Sequence, residues 1–107
     1  MSLWIIEYTY DKREALRASL LDDHSWYLAG LADAGAMIAF GPCEDGNGEL
    51  LIASGSSRAH VEDLVSGDPY VCVGAVKEMR IRRWEGRLFP SWQASRILSE
   101  EPQDGPS

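Results

Sequence analysis

Few residues in this chain combine a chemically useful side chain with a setting in which it can act. His24 is one of only two histidines, and Trp26, Tyr27 and Leu28 follow it in a stretch of helical spacing. Imidazole is the side chain whose unperturbed pKa lies near neutrality, so it can give or take a proton at working pH. Spacing alone also admits a plainer role, a partly buried ring that bonds a carbonyl. Asp68 precedes Pro69, an ordinary helix start with Asp at the N-cap and Pro at the first helical position. A carboxylate facing an imidazole would also fix its tautomer and stabilise its charged form. The two roles are compatible, because a carboxylate has two oxygens. His60 falls in a helix that opens on a polar turn and is expected at the surface.

Other constellations carry less. A metal site needs three or four convergent ligands, which two histidines and two distant cysteines do not supply. Gly41-Pro42-Cys43 and Gly67-Asp68-Pro69 punctuate loops and have no phosphate-loop pattern. Arg80-Ile81-Arg82-Arg83 reads as an exposed strand edge or a pocket rim that would attract an acidic substrate, not as a nucleic-acid stripe.

The elements that must position these residues follow from periodicity. Leu3 to Tyr10 has high β propensity and reads as a first strand. From Lys12 to Ala34 the spacing is helical, with Leu16, Leu20, Tyr27, Leu28 and Leu31 at steps of three, four and seven. Leu21-Asp22-Asp23-His24 is expected to break or kink this span, since Asp prefers caps to helix interiors. Gly35 ends the helix in a left-handed conformation. Ala36 to Gly41 and Glu49 to Gly55 form a hairpin around a glycine-rich turn. Ser56 or Ser57 caps a helix from Arg58 to Ser66, Asp68-Pro69 starts a short turn through Val73, and Ala75 to Trp84 is the last strand. The order is β-α-β-β-α-β, the α+β ferredoxin-like arrangement, in which two helices cover one face of a four-stranded antiparallel sheet.

A strand with one wet face should alternate apolar and polar residues. These strands do not. Leu3 and Ile5 oppose Trp4, Ile6 and Tyr8; Ala36, Ile38 and Phe40 alternate with Met37 and Ala39; Leu50 and Ile52 alternate with Leu51 and Ala53. The face without helices would be an apolar patch larger than soluble monomers usually expose. Packing two sheets about a two-fold axis removes it, which predicts a homodimer; Trp92, Ile97 and Leu98 of the tail are the alternative cover. A pocket holding His24 and Asp68 then belongs on the helix side of the sheet or at its edge.

Composition bounds the rest. A chain of 107 residues with 45% hydrophobic and 25% charged residues is one globular domain, here residues 1–90 with a polar, proline-bearing tail at 91–107 expected to be mobile. The net charge of -7 argues against a nucleic-acid partner, and no apolar run is long enough for a membrane span. Cys43 and Cys72 lack motif spacing, and no export signal precedes them, so they are expected as reduced thiols packed as small hydrophobes in the cytoplasm.

At these same residues the sequence resembles the YCII-related proteins of the dimeric α/β-barrel superfamily. The resemblance spans about residues 3–85. It rests on Tyr8-Thr9-Tyr10-Asp11, on His24-Ser25-Trp26-Tyr27-Leu28 followed by Leu31 and Gly35, and on Met37-Ile38-Ala39-Phe40-Gly41-Pro42. Most telling is Gly67-Asp68-Pro69-Tyr70-Val71 followed by Gly74. The resemblance implies ferredoxin-like dimers with packed sheets and a His–Asp pair beside the sheet, which maps onto His24 and Asp68. It also implies chemistry like that of a dehydrochlorinase acting on an aromatic ring or of muconolactone isomerases. The expectation is a small-molecule enzyme in which His24 is the general acid/base, Asp68 orients it, and Tyr8, Phe40 and Tyr70 line the pocket. No cofactor is needed. The rival expectation is a non-catalytic dimer that binds a metabolite or is purely structural.

Overall fold

The computed structural model describes residues 1–89; the predicted tail, with Trp92, Ile97 and Leu98, lies outside them. In chain order the elements are β1 (Ser2–Tyr10), α1 (Glu14–Asp33), β2 (Met37–Pro42), β3 (Gly48–Gly55), α2 (Arg58–Val65), α3 (Pro69–Cys72) and β4 (Val76–Trp84). The strands form one antiparallel sheet in the order β2-β3-β1-β4. This is the α+β, ferredoxin-like arrangement, with the short helix α3 added before β4.

One face of the sheet carries the core. Trp4, Ile6 and Tyr8 of β1, Leu51 and Ala53 of β3 and Ile81 of β4 are buried there with Leu28 of α1 and Val61 and Val65 of α2. Fully burying a side chain of this kind stabilises by about 1.5–3 kcal/mol. The opposite face keeps Leu3, Ile5 and Ile52 half-buried and Leu50 exposed. Both faces of β1 and β3 are therefore rich in apolar residues, as their lack of alternation predicts.

Two local expectations fail. α1 runs unbroken through Asp22 and Asp23. Both aspartates point to solvent, while His24 and Leu28, one turn apart, are buried beneath the helix. Anchoring of that face outweighs the weak intrinsic preference of Asp for helix ends. In β2 the pairing slips between Met37 and Ala39. Met37 lies opposite Ala53 and Phe40 opposite Leu51, so both share the helix-side face. A bulge at Ile38 breaks the strict alternation and leaves Ile38 exposed.

The C-terminus of α1 is built as the sequence predicts. Gly35, at φ +83°, closes the helix, with Gly35 N–H bonded to Ala32 C=O and Ala36 N–H to Leu31 C=O, a Schellman motif. At the start, the Asp11 carboxylate accepts from Arg13 N–H at 3.0 Å and from the Arg13 and Arg17 guanidiniums. The Arg13 backbone N–H, foremost, holds the Asp11 carboxyl below the usual range. Ser57 caps α2 by accepting from His60 N–H, and His60 is exposed as expected. Cys43 and Cys72 are free and also exposed. They lie in or beside turns and not in the core predicted for them.

Candidate active site

α1, α3, β1 and β3 each deliver one part of a buried polar cluster. Asp68 is fully buried and caps α3: its Oδ1 accepts from Tyr70 N–H at 3.0 Å. The same oxygen lies 2.8 Å from His24 Nδ1, and Oδ2 accepts from the Tyr8 hydroxyl at 2.8 Å. The capping and imidazole-facing roles read for Asp68 are thus both present in the geometry. Pro69 fixes the first helical position beside it. The Tyr70 ring stacks on the His24 ring, with centroids 3.8 Å apart and planes 5° from parallel.

The other face of the imidazole meets a residue that sequence reasoning missed. His24 Nε2 lies 2.7 Å from Glu49 Oε1, and the Tyr10 hydroxyl donates to that same oxygen at 2.8 Å. Glu49 is the second residue of β3, just after a glycine-rich turn, where a lone carboxylate reads as solvated. One signal was present: Glu49 shares its parity with Leu51 and Ala53, the helix-side residues of the strand. Gly48 permits the close approach there, since a Cβ at that position would lie 2.0 Å from the Tyr8 carbonyl oxygen.

With carboxylate oxygens at both nitrogens, the ring is satisfied only when both nitrogens carry protons. His24 is 2% exposed, and its burial opposes the charged form. The hydrogen bonds and charges of Asp68 and Glu49 outweigh that opposition and push its pKa up to about 9. His24 is therefore an imidazolium at neutral pH, held between two anions. The same surroundings raise the phenols: burial first and then Asp68 for Tyr8, burial and then Glu49 for Tyr10 and Tyr70. All three stay protonated donors. Arg17, from α1, places its guanidinium 4.5 Å above the Tyr10 ring, while its carbonyl accepts from the Tyr70 hydroxyl.

An open groove of about 840 Å³ runs along the end of the sheet where β1 finishes and β3 begins. It opens on the helix-free face, where Glu7, Leu50 and Arg80 are cross-strand neighbours. Tyr8 and Glu49 are among its lining residues, but their side chains turn to the helix side, toward Asp68 and His24, and none of His24, Asp68 and Tyr70 belongs to its wall. The geometry thus brings together His24, Asp68, Tyr8 and Tyr70 and adds Glu49, Tyr10 and Arg17. Phe40 lies elsewhere: it packs against the hydrophobic core opposite Leu51 and is not part of the groove wall. Among the described residues no group of three or more His, Cys, Asp or Glu is arranged to hold a metal ion. None of their helices is long and apolar enough to cross a membrane.

A model of the YCII-related domain family matches residues 1–85. Among curated proteins, none matches the sequence. One similar solved structure is 5-chloro-2-hydroxyhydroquinone dehydrochlorinase (TftG) from Burkholderia phenoliruptrix AC1100, in complex with 2,5-dihydroxybenzoquinone. It has a TM-score of 0.69 and 22% identity to this chain, and the match covers 79% of this chain and 95% of that one. At that identity the likeness establishes the shared fold.

Proposed function

The chain belongs to the YCII-related domain family, and from that premise we propose that it is a small-molecule enzyme using His24 and Asp68 for acid/base chemistry. The observation that carries this reading is the imidazole clamped at 2.8 Å by a fully buried carboxylate. A neutral buried histidine would be satisfied by one acceptor and one donor, whereas this ring meets a carboxylate oxygen at each nitrogen, and charged groups perturbed in this way cluster at functional sites. Asp68 fixes the Nδ1–H tautomer and stabilises imidazolium, and His24 moves the proton. Tyr8 and Tyr70 hold Asp68 and the ring in place. Elimination or isomerisation of a hydroxylated ring or lactone, of the dehydrochlorinase or muconolactone-isomerase kind, suits such a pair and needs no cofactor. Acid/base help of this type is typically worth a hundred- to ten-thousand-fold in rate, as an order of magnitude.

The proposal includes a homodimer packed through the helix-free face of the sheet, supported by Leu3, Ile5, Leu50 and Ile52 on that face. It places the protein in the cytoplasm, where two exposed free thiols are stable.

One observation favours a second reading. Both ring nitrogens of His24 are already engaged, which a metabolite-binding module without turnover would tolerate equally well. The two readings separate by experiment. A thermal-shift screen with small phenols, lactones and 2,5-dihydroxybenzoquinone, the compound bound in the structurally similar dehydrochlorinase, identifies a ligand by the stabilisation it confers. The His24 ring signals are then followed by NMR during ligand titration. The enzyme reading expects them to move in the wild type, with the ring's titration midpoint falling sharply in Asp68→Asn. A ligand that binds without touching those signals contradicts it.

A further inference from the structure

We propose that Tyr10 is a gate over the His24–Asp68 pair, and that the place its phenol now fills is the binding site for a neutral hydroxylated ring. This deepens the acid/base reading above and rests on it. A molecule has to reach the cluster from somewhere. Asp68, His24, Glu49, Tyr8 and Tyr70 are all buried, and among the cluster's members only Tyr10 and Arg17 reach solvent. Of these two, Tyr10 leads directly to the imidazole. Its hydroxyl donates to Glu49 Oε1 at 2.8 Å, and the same oxygen lies 2.7 Å from His24 Nε2. This route lies on the helix side of the sheet, and Tyr10 takes no part in the groove on the opposite face.

The surroundings of the Tyr10 ring are those that a small phenol would need. The Arg17 guanidinium stands 4.5 Å from its centroid, a cation facing the electron-rich face of an aromatic ring. The Tyr70 ring meets it edge-on, with centroids 5.6 Å apart and planes at 89°, an arrangement that aromatic pairs favour. Glu49, only 4% exposed, takes both Tyr10 O–H and His24 Nε2–H on Oε1, and among the described residues no donor meets its Oε2. A molecule that replaces Tyr10 must therefore bring an O–H donor and a flat apolar body. A phenol or enol brings both. A carboxylate anion brings no donor and a second negative charge beside Glu49. The bound hydroxyl would share Glu49 Oε1 with the His24 N–H, beside the group that moves the proton.

The gate can open without disturbing the sheet. Tyr10 is the last residue of β1, where the pairing with β4 shifts register between Thr9 and Tyr10. The backbone is pinned there, Tyr10 N–H to Asn47 C=O at 2.8 Å and Asp11 N–H to Ala75 C=O at 2.9 Å, so rotation about χ1 moves the ring alone. Arg17 is held independently, because the Asp11 carbonyl and carboxylate both accept from its guanidinium. Opening breaks a hydrogen bond to a buried carboxylate and a cation–π contact, so the closed form is the resting one. The apparent affinity for a ligand is then reduced by the small fraction of open gate.

The test uses the full chain as wild type, Tyr10→Phe and Tyr10→Ala, each first checked for a cooperative melt. Phenol is the probe, toluene and benzoate are the controls, and binding is followed by NMR at the His24 ring N–H signals and by thermal shift. Tyr10→Phe lacks the hydroxyl that holds the gate shut, so it should bind phenol about tenfold or more tightly than wild type does. Tyr10→Ala, with the slot vacated, should bind phenol at least as well as Tyr10→Phe, and bound phenol should move the His24 Nε2–H signal. Toluene and benzoate should bind both variants more weakly than phenol. The gate is overturned by phenol binding that is unchanged or weakened in Tyr10→Phe, absent from all three proteins, matched by toluene, or silent at His24. Should Tyr10→Ala not fold, the comparison of wild type with Tyr10→Phe still decides. His24→Ala leaving turnover of a substrate unchanged sinks the acid/base reading without altering these affinities, so the two failures are distinct.

Discussion

At the scale of the residue, His24 links stability to pH. Its pKa is raised in the fold from an ordinary 6.5 to about 9, so the folded state holds the proton more tightly than the unfolded chain. The stabilisation is fully present below about pH 6.5 and is lost as pH rises through about 9; the shift corresponds to about 3 kcal/mol at most. The melting temperature should therefore fall between those values in wild type and show a much weaker slope in His24→Gln. A wild-type curve flat across that window would contradict the charged-ring assignment. Tyr8 offers a second check. Tyr8→Phe leaves Asp68 Oδ2 without its donor, which should cost about 1–3 kcal/mol in denaturant unfolding; a neutral effect would mean that the oxygen is otherwise satisfied.

At the scale of the element, the site depends on how tightly α1 sits against the turn before α3. Gly67 makes that approach possible: a Cβ there would meet the Tyr27 hydroxyl at 2.6 Å, and that hydroxyl donates to Leu64 C=O at 2.7 Å. Gly67→Ala should thus cost about 1–3 kcal/mol and loosen Asp68, the next residue, more than it loosens the sheet. Hydrogen exchange would report this as faster opening of α3 relative to β1. Elements also mark where sequence reading ends. Strand and helix order was legible because Leu, Ile and Tyr periodicities differ between β1 and α1. The continuity of α1 was not, because Asp22 and Asp23 signal a cap locally, whereas burial of His24 and Leu28 is a tertiary fact. Half of the site was legible for a similar reason. Asp68-Pro69 and His24 carry local signals, while Glu49 becomes part of the site only through the register that sets β3 beneath α1.

At the scale of the whole molecule, the helix-free face of the sheet governs association. Among the described residues no element covers Leu3, Ile5, Leu50 and Ile52 from that side, and Arg80, Arg82 and Glu78 border them on β4. Two copies packed through this face would bury the apolar centre and leave the charged edge at the rim, the usual anatomy of a stable interface. Sedimentation at micromolar concentration should give twice the chain mass, and Ile5→Lys should reduce it to a single-chain mass without unfolding. A wild-type monomer would overturn this arrangement.

The central claim is that the buried His24–Asp68 pair moves a proton for a bound small molecule. The most direct measurement is the turnover rate of His24→Ala against wild type on a ligand-screen hit that the wild type converts, with the variant's folding and ligand affinity measured alongside. A loss of roughly a hundredfold or more in the rate, with the fold retained and affinity little changed, is the expected result. Turnover equal to wild type would contradict the account.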